Sequence, residues 1–420
     1  MIFSACHRYV QKIKKYVYFP SSSDVKIMTI LGSAQAFAAL DGFFIYVLVA
    51  RFVDPALFGE YKYFVSIFEL SSICALSGMK ISLIRSVARG FEGSLRQGFW
   101  LRVQYGYVLG IPLAAMGFYR AWQGQWPQAF LFFLLYFSIP FLYAFSLALP
   151  FLQGKKAFSS LSKIMFVSEL ITLTSMLLAI FFTKTSVAFF TIFFAFSLAG
   201  YIAFYIYARR HVEDQATDPQ LLSHARHQSF LDVLQIIAGR IDSTILFHLL
   251  GPVELAFYAF GVLTVDQLRG LCSVIYTAIG PRFASYHLKD TLRTISQKMF
   301  MMGLLGAIVA VAYWVVAPVL YQVLFPRYVS VVAYSQVYAL SLIFILPSLL
   351  GMYLLNLQDL RREATLYNLW NQGFLIVALF IGGIFYHMWG IVMARVLSSV
   401  FQLVTILWIL QTKRHQLATL

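Results

Sequence analysis

Long apolar runs, separated by short polar interruptions, fill this chain. Twelve runs stand out, at 28–50, 58–80, 98–119, 127–152, 161–183, 186–208, 229–250, 256–281, 299–324, 331–356, 366–386 and 388–411. A helix crossing a hydrocarbon core of roughly 30 Å needs roughly 20 mostly apolar residues. The alternating pattern of barrel strands is not found, and helices are the other backbone arrangement that satisfies itself in lipid. The pattern therefore predicts an all-α polytopic membrane protein of about twelve transmembrane helices. The most polar stretch, ARRHVEDQATDPQLLSHARHQS, follows the sixth run. It divides the chain into a basic arm (1–27), a six-helix bundle (28–208), a linker (209–228), a second six-helix bundle (229–411) and a tail (412–420).

The polar punctuation also repeats. RFVDPALFGEYKYF (51–64) and HLLGPVELAFYAF (248–260) share a grammar, and a shift of 197 residues registers Pro55 on Pro252, Tyr61 on Tyr258 and Val65 on Val262. The same shift puts the acidic Glu69 on the acidic Asp266, and Arg85 on Arg282. Both stretches join the first run of a six-run half to its second. The expectation is two bundles related by pseudo-two-fold symmetry around a central cavity, an arrangement common in transporters.

Composition agrees with a lipid environment. The chain of 420 residues is 60% hydrophobic and 12% charged, with mean hydropathy +0.76; soluble domains are about a quarter charged. Basic residues set the orientation, because Lys and Arg collect on the cytoplasmic side. With the amino terminus inside, 23 of the 32 Lys and Arg fall in inner segments, four in outer loops and five within runs. Both termini are then cytoplasmic, and the arm, which lacks the apolar core of a cleavable signal, can lie on anionic headgroups. The same distribution accounts for the net charge of +15. It is scattered over short loops, which argues against nucleic acid as a partner. Cys6, Cys74 and Cys272 have no metal or redox spacing, and His224 and His227 lack further ligands. No metal or cofactor is expected, and no GxxxxGK[ST] loop points to ATP.

Charges inside the runs carry the candidate chemistry. A charge at mid-bilayer costs roughly 2.5–3.5 kcal/mol on insertion scales, so it normally faces a cavity or another charge. Asp41 lies in the first run, Lys62 and Glu69 in the second, Arg240 and Asp242 in the seventh, Asp266 and Arg269 in the eighth, and Arg395 in the twelfth. The basic four, Lys62, Arg240, Arg269 and Arg395, are the substrate-binding candidates of a cationic lumen. The acidic four, Asp41, Glu69, Asp242 and Asp266, are candidates for ion coupling or charge pairing. Five have a plainer alternative: Lys62 can snorkel to the surface, Asp41 can anchor helix packing, Asp266 and Arg269 can neutralise each other three apart on one face, and Arg395 can sit in a structural ion pair. Arg102 and Glu169, nearer the inner side, read as structural.

LVARFVDPALFGEYKYFVSIFELSSICALSGMKISLIRSVARG and FLQGKKAFSSLSKI resemble the first-half signatures of Wzx-type polysaccharide flippases. RIDSTILFHLLGPVELAFYAFGVLTVDQLRGLCSVIYTAIGPRFA and LYQVLFPRYVSVVAYSQVYALSLIFILPSLLGMYLLNL resemble their second-half counterparts. These flippases belong to the multidrug/oligosaccharidyl-lipid/polysaccharide exporter superfamily. FVDPALFG departs from the pattern in lacking the Gly that often precedes the Pro, which the second half keeps as Gly251. The two further carboxy-terminal helices of peptidoglycan-precursor flippases have no counterpart after residue 411.

The resemblance implies a flippase moving polyprenyl-pyrophosphate-linked oligosaccharide repeat units from the cytoplasmic to the outer leaflet by alternating access, for O-antigen, lipopolysaccharide or exopolysaccharide assembly. It further implies a bacterial or archaeal cell membrane, the inner membrane in a Gram-negative cell. The implied partners are membrane lipid, a coupling proton or sodium ion, and polysaccharide polymerase and chain-length machinery. A cation-coupled drug exporter of the same superfamily is the alternative. A membrane glycan polymerase is disfavoured, because outer loops such as TKTS and YHMWG are too short for an extracytoplasmic catalytic site. The expectation is a transporter, not an enzyme.

Overall fold

A computed structural model describes residues 37–38, 40–284, 288–357 and 360–418. The basic arm (1–27), the start of the first run and the last two residues of the tail lie outside the described residues. Every regular element among them is helical. They fall into two compact units, divided between Ala256 and Phe257.

The first unit begins with α1 (residues 40–52) and α2 (Pro55–Leu70), where Pro55 opens the helix and the Asp54 side chain accepts from the Ala56 amide at 3.2 Å. The second run, continuous in the sequence pattern, is broken. A 3₁₀ turn, Ser71–Ile73, follows α2, and Leu76 adopts a φ of 50° before α3 (Met79–Ala88) resumes. The cause is local: SSICALSG supplies hydroxyls that compete for backbone carbonyls, and Ser71 Oγ donates to the Phe68 carbonyl.

The next runs are segmented too. α4 (Ser94–Leu109) gives way at Gly110 to α5 (Ile111–Trp122), which has Pro112 in its first turn, where the missing N–H costs nothing. α6 (Trp126–Phe145) yields at Ser146 and Leu147 to α7 (Ala148–Gly154). α8 (Phe158–Phe182) and α9 (Ser186–Arg210) are unbroken, 25 residues each, or roughly 37 Å at 1.5 Å per residue. Met79, Leu83, Leu95 and Phe151 form a core beneath α3, α4 and α7.

α10 (Leu221–Leu250) packs within this first unit, although the sequence pattern groups it with the second half. Tyr63 of α2 stacks on Phe247 at 3.9 Å, and Ser229 Oγ accepts from the Gly78 amide at 3.0 Å. The polar linker is strapped to the same unit. Lys155 Nζ pairs with Glu92 and Glu213, each at 3.0 Å, and Asp218 accepts from Ser86 Oγ at 2.7 Å.

The division between units falls early in α11 (Pro252–Ala284). The second unit continues with α12 (Leu288–Leu324), a 3₁₀ turn, α13 (Val332–Ala339) and α14 (Ser341–Leu357), the last two elements meeting at a 43° bend. α15 (Arg361–Ala418) is a hairpin broken at His387, whose φ is 53°. Its arms carry the eleventh and twelfth runs. Trp370 stacks on Trp408 at 5.6 Å, Phe374 on Phe401 at 4.3 Å, and Lys413 pairs with Glu363 at 2.6 Å at the open end. Near the turn, Gly382 and Gly390 meet backbone to backbone.

Among the described residues, six helical stretches are long and apolar enough to cross a membrane, or seven with the bent pair counted as one span. The hairpin counts once in that number while contributing two arms, and α6 and α7 count together as one span, Trp126–Gly154.

Candidate functional site: a polar cavity in the first unit

A cavity of about 490 Å³ opens in the first unit beside the break in the second run. α2 brings Glu69, the broken segment brings Ser72 and Ser77, and α3 brings Lys80. α4 and α6 add Arg102 and Tyr143, and α10 adds Asp232, Gln235 and Arg240. Charged groups inside an apolar bundle need partners or water, and here Glu69, Arg240, Asp232 and Arg102 have protein partners.

Arg240 bridges the cavity to Glu69, with Nη2 donating to Oε1 at 3.0 Å. Their side chains stay 47% and 35% exposed. The charges of Lys62 and Asp242 also act on Glu69. Lys62 itself lies over the rings of Tyr46 at 5.0 Å and Phe58 at 5.7 Å, a cation–π seat in the first half of α2. Asp242, two residues from Arg240, is 2% exposed and accepts from its neighbour, the Ser243 amide, at 2.8 Å. The two side chains point to different faces, as their spacing requires.

Arg102 is fully buried and holds the break open. Nη1 donates to the Tyr143 carbonyl at 2.6 Å and to Ser146 Oγ at 3.3 Å, and Nη2 donates to the Leu76 carbonyl at 3.3 Å. Interrupted helices leave carbonyls short of helical donors, which is costly in lipid. The Met79 amide reaches the Leu76 carbonyl at 2.9 Å and Ser146 Oγ the Tyr143 carbonyl at 2.8 Å, and one guanidinium, with five donors in a planar fork, adds a charged donor to both. Tyr143 adds a donor to the Phe68 carbonyl at 2.9 Å.

Asp232 is a site residue that the run pattern overlooks. It accepts from Ser77 Oγ at 3.3 Å and from Gln228 Nε2 at 3.0 Å. The signal was present: Gln228, Asp232 and Gln235 recur at four- and three-residue spacing, a polar stripe on α10. Lys80 lines the same cavity.

Asp41 lies apart from this group. It is 6% exposed, its Oδ2 has no hydrogen-bond partner among the described residues, and its charge acts on Glu169 of α8.

In the second unit, three further candidates gather around one hydroxyl. Tyr338 donates to Asp266 Oδ1 at 2.8 Å, and the charges of Arg269 and Arg395 act on the same hydroxyl. Arg395 also sits over the Tyr258 ring at 5.9 Å. Asp266 thus belongs to a cluster drawn from α11, α13 and α15. The described residues contain no group of three or more His, Cys, Asp or Glu suited to a metal.

Three solved structures share the fold. The lipid II flippase MurJ in an inward closed conformation aligns with a TM-score of 0.66 at 14% identity, covering 90% of this chain and 86% of that one. An inward-facing multidrug resistance MATE family transporter of the MOP superfamily aligns at 0.67 and 12% identity, covering 93% and 99%. An outward-facing MATE family transporter of that superfamily aligns at 0.58 and 11%, covering 94% and 96%. At such identities the likeness speaks for the fold: two bundles of membrane helices, the architecture of MOP-superfamily transporters. No curated protein matches the sequence. A family model does, over residues 25–287, more than half of the chain, and the chain accordingly belongs to the polysaccharide biosynthesis protein family.

Proposed function

We propose that this protein is a flippase for polyprenyl-pyrophosphate-linked oligosaccharide repeat units, turning them from the cytoplasmic to the outer leaflet for surface polysaccharide assembly. The observation that carries the reading is the cavity holding Arg240, Lys80 and Arg102 against Glu69 and Asp232. A lipid-linked sugar presents an anionic pyrophosphate, a hydroxyl-rich head and an apolar tail. Guanidinium groups suit phosphate oxygens bidentately, and the serines, Gln235 and Tyr143 suit hydroxyls. Membership of a polysaccharide biosynthesis family supports the substrate class, and the MurJ-like fold supports the transport of a lipid rather than a reaction upon it. Translocation proceeds by alternating access. Asp41, Glu69, Asp242 and Asp266 are the carboxylates proposed to couple it to a proton or sodium ion. The protein sits in the cell membrane of its host with both termini cytoplasmic and hands its cargo to polymerase and chain-length machinery.

Deletion of the gene in the native host tests this, with surface polysaccharide and lipid-linked oligosaccharide in spheroplasts measured together. Loss of the surface glycan with an inner-leaflet intermediate accumulating supports the flippase. Normal glycan with increased drug sensitivity favours a cation-coupled exporter, the reading to which the MATE-like fold lends weight. Single repeat units reaching the surface unpolymerised would indicate a polymerase.

A further inference from the structure

A second cavity, of about 580 Å³, lies on the first unit away from the polar one. Arg96 of α4 and Arg209 and Arg210 of α9 stand at its charged end, and Phe99, Trp100 and Phe145 at its apolar end. It shares no residue with the polar cavity. On α4, Arg102 points 120° or more away from Arg96 and Trp100 at 100° per residue. On α6, Tyr143 and Phe145 are two apart and face opposite ways.

All three arginines are exposed, and no ion pair to any of them forms among the described residues. The nearby acids are engaged elsewhere: Glu92 and Glu213 hold Lys155. Below the arginines the wall is apolar and outward-facing, with Trp100 52% and Ile206 47% exposed. Tyr205 spans the two zones, its hydroxyl within the field of Arg209 and Arg96. Three uncompensated guanidinium groups at the membrane-face end of an aromatic groove match a phosphate headgroup above acyl chains. The positive-inside count puts this end in the cytoplasmic leaflet.

We propose that this groove is a binding site for an anionic glycerophospholipid of the cytoplasmic leaflet, with Arg96, Arg209 and Arg210 holding the phosphate and Trp100 and Phe99 receiving the acyl chains. The proposal does not depend on what the polar cavity transports. A resident phospholipid fits better than the cargo because the groove is walled off from the polar cavity and has no hydroxyl-rich lining for sugars.

The test uses the full-length protein purified in detergent and titrated with phosphatidylglycerol, with bound lipid counted by native mass spectrometry. Melting is followed in phosphatidylcholine vesicles with and without phosphatidylglycerol. Each basic residue near a lipid surface is worth about fivefold in affinity. The R96Q/R209Q/R210Q variant should therefore bind phosphatidylglycerol on the order of a hundredfold more weakly, and its melting should lose the response to phosphatidylglycerol. Unchanged melting in phosphatidylcholine alone establishes that the variant is folded. The charge-preserving R96K/R209K/R210K variant should keep most of the binding, and Trp100→Ala should weaken it. Equal phosphatidylglycerol binding by the wild type and the Gln variant overturns the proposal. So does displacement of phosphatidylglycerol by stoichiometric undecaprenyl pyrophosphate, which would make the groove an entry site for cargo.

Discussion

Arg240 of α10 donates to Glu69 of α2 at 3.0 Å, across 171 positions of sequence, in a cavity where both side chains remain partly exposed. A partly exposed pair contributes at most about 1 kcal/mol to stability. The same guanidinium, offered to a phosphate, makes a hydrogen bond to a charged group worth about 1.5–3 kcal/mol. Arg240→Gln should therefore shift the melting temperature by no more than about 4 °C while lowering glycan export about tenfold or more. The exchanged pair, Glu69→Arg with Arg240→Glu, should regain the stability and not the export. Full export by both variants would remove Arg240 from the transport path.

Arg102 answers to a different test. Its guanidinium donates to the carbonyls of Leu76 and Tyr143 and to Ser146 Oγ. A buried polar group stripped of its partner costs about 1–3 kcal/mol. Arg102→Ala should lose about 2–5 kcal/mol of stability in all, read as a large drop in melting temperature in detergent. Arg102→Lys should recover only part of that, because one ammonium cannot span three acceptors. Wild-type melting of the Ala variant would mean that the break in the second run is held by other contacts.

These two arginines mark what the sequence pattern could and could not reveal. Apolar run length located the helical stretches, because an unsatisfied backbone is costly in lipid, but the second, third and fourth runs each fold as two helices. It missed the break between Leu70 and Met79, since the residues there are small or apolar and lower the mean hydropathy little. Only the carbonyls freed by the break, and their donor Arg102, reveal it. The in-run charges were legible as a set, because lipid makes each of them costly. Their partners were not. Glu69 meets Arg240 through helix packing, and Asp266 meets Tyr338, an unremarkable aromatic in the sequence. Asp232 was hidden by its place at the polar entrance of α10, where a charge costs little and draws no attention.

The linker strap should make stability depend on pH in a defined direction. Burial alone would raise the Asp218 carboxyl, but hydrogen bonds from Ser86 Oγ and the Gln220 amide outweigh it and hold the group below the usual carboxylate range. A group lowered by folding stabilises above its unfolded value, about 3.9, and loses that contribution as pH falls through the folded one. Lys155 runs the other way. Desolvation would lower it, yet the bonds to Glu213 and Glu92 raise it. Its contribution is complete below the unfolded value of about 10.4 and is lost as pH rises through the folded one. Melting temperature should thus fall at both extremes. Asp218→Asn should melt lower than wild type at neutral pH, and the gap should close as the solution is acidified below pH 4. A gap independent of pH would assign the loss to packing rather than to charge.

Two glycines in the first unit, Gly59 and Gly251, are irreplaceable for different reasons, and substitution separates them. A methyl group on Gly59 of α2 would lie 1.7 Å from the carbonyl oxygen of Pro252, so the obstruction is backbone and cannot rotate aside. Gly251 has open space around it, but its φ of 91° and ψ of 180° belong to a region essentially reserved for glycine. Gly251→Ala should cost about 1–3 kcal/mol from strain alone and leave the stacking of Tyr63 on Phe247 intact. Gly59→Ala must push α2 from the start of α11, at a cost of about 3 kcal/mol or more, and should disturb that stacking. The shift is visible as increased accessibility of a cysteine placed at Phe247. Equal accessibility in the two variants would mean that α2 and the end of α10 move together, and the contact of Gly59 with Pro252 would then be a consequence of their packing rather than its cause.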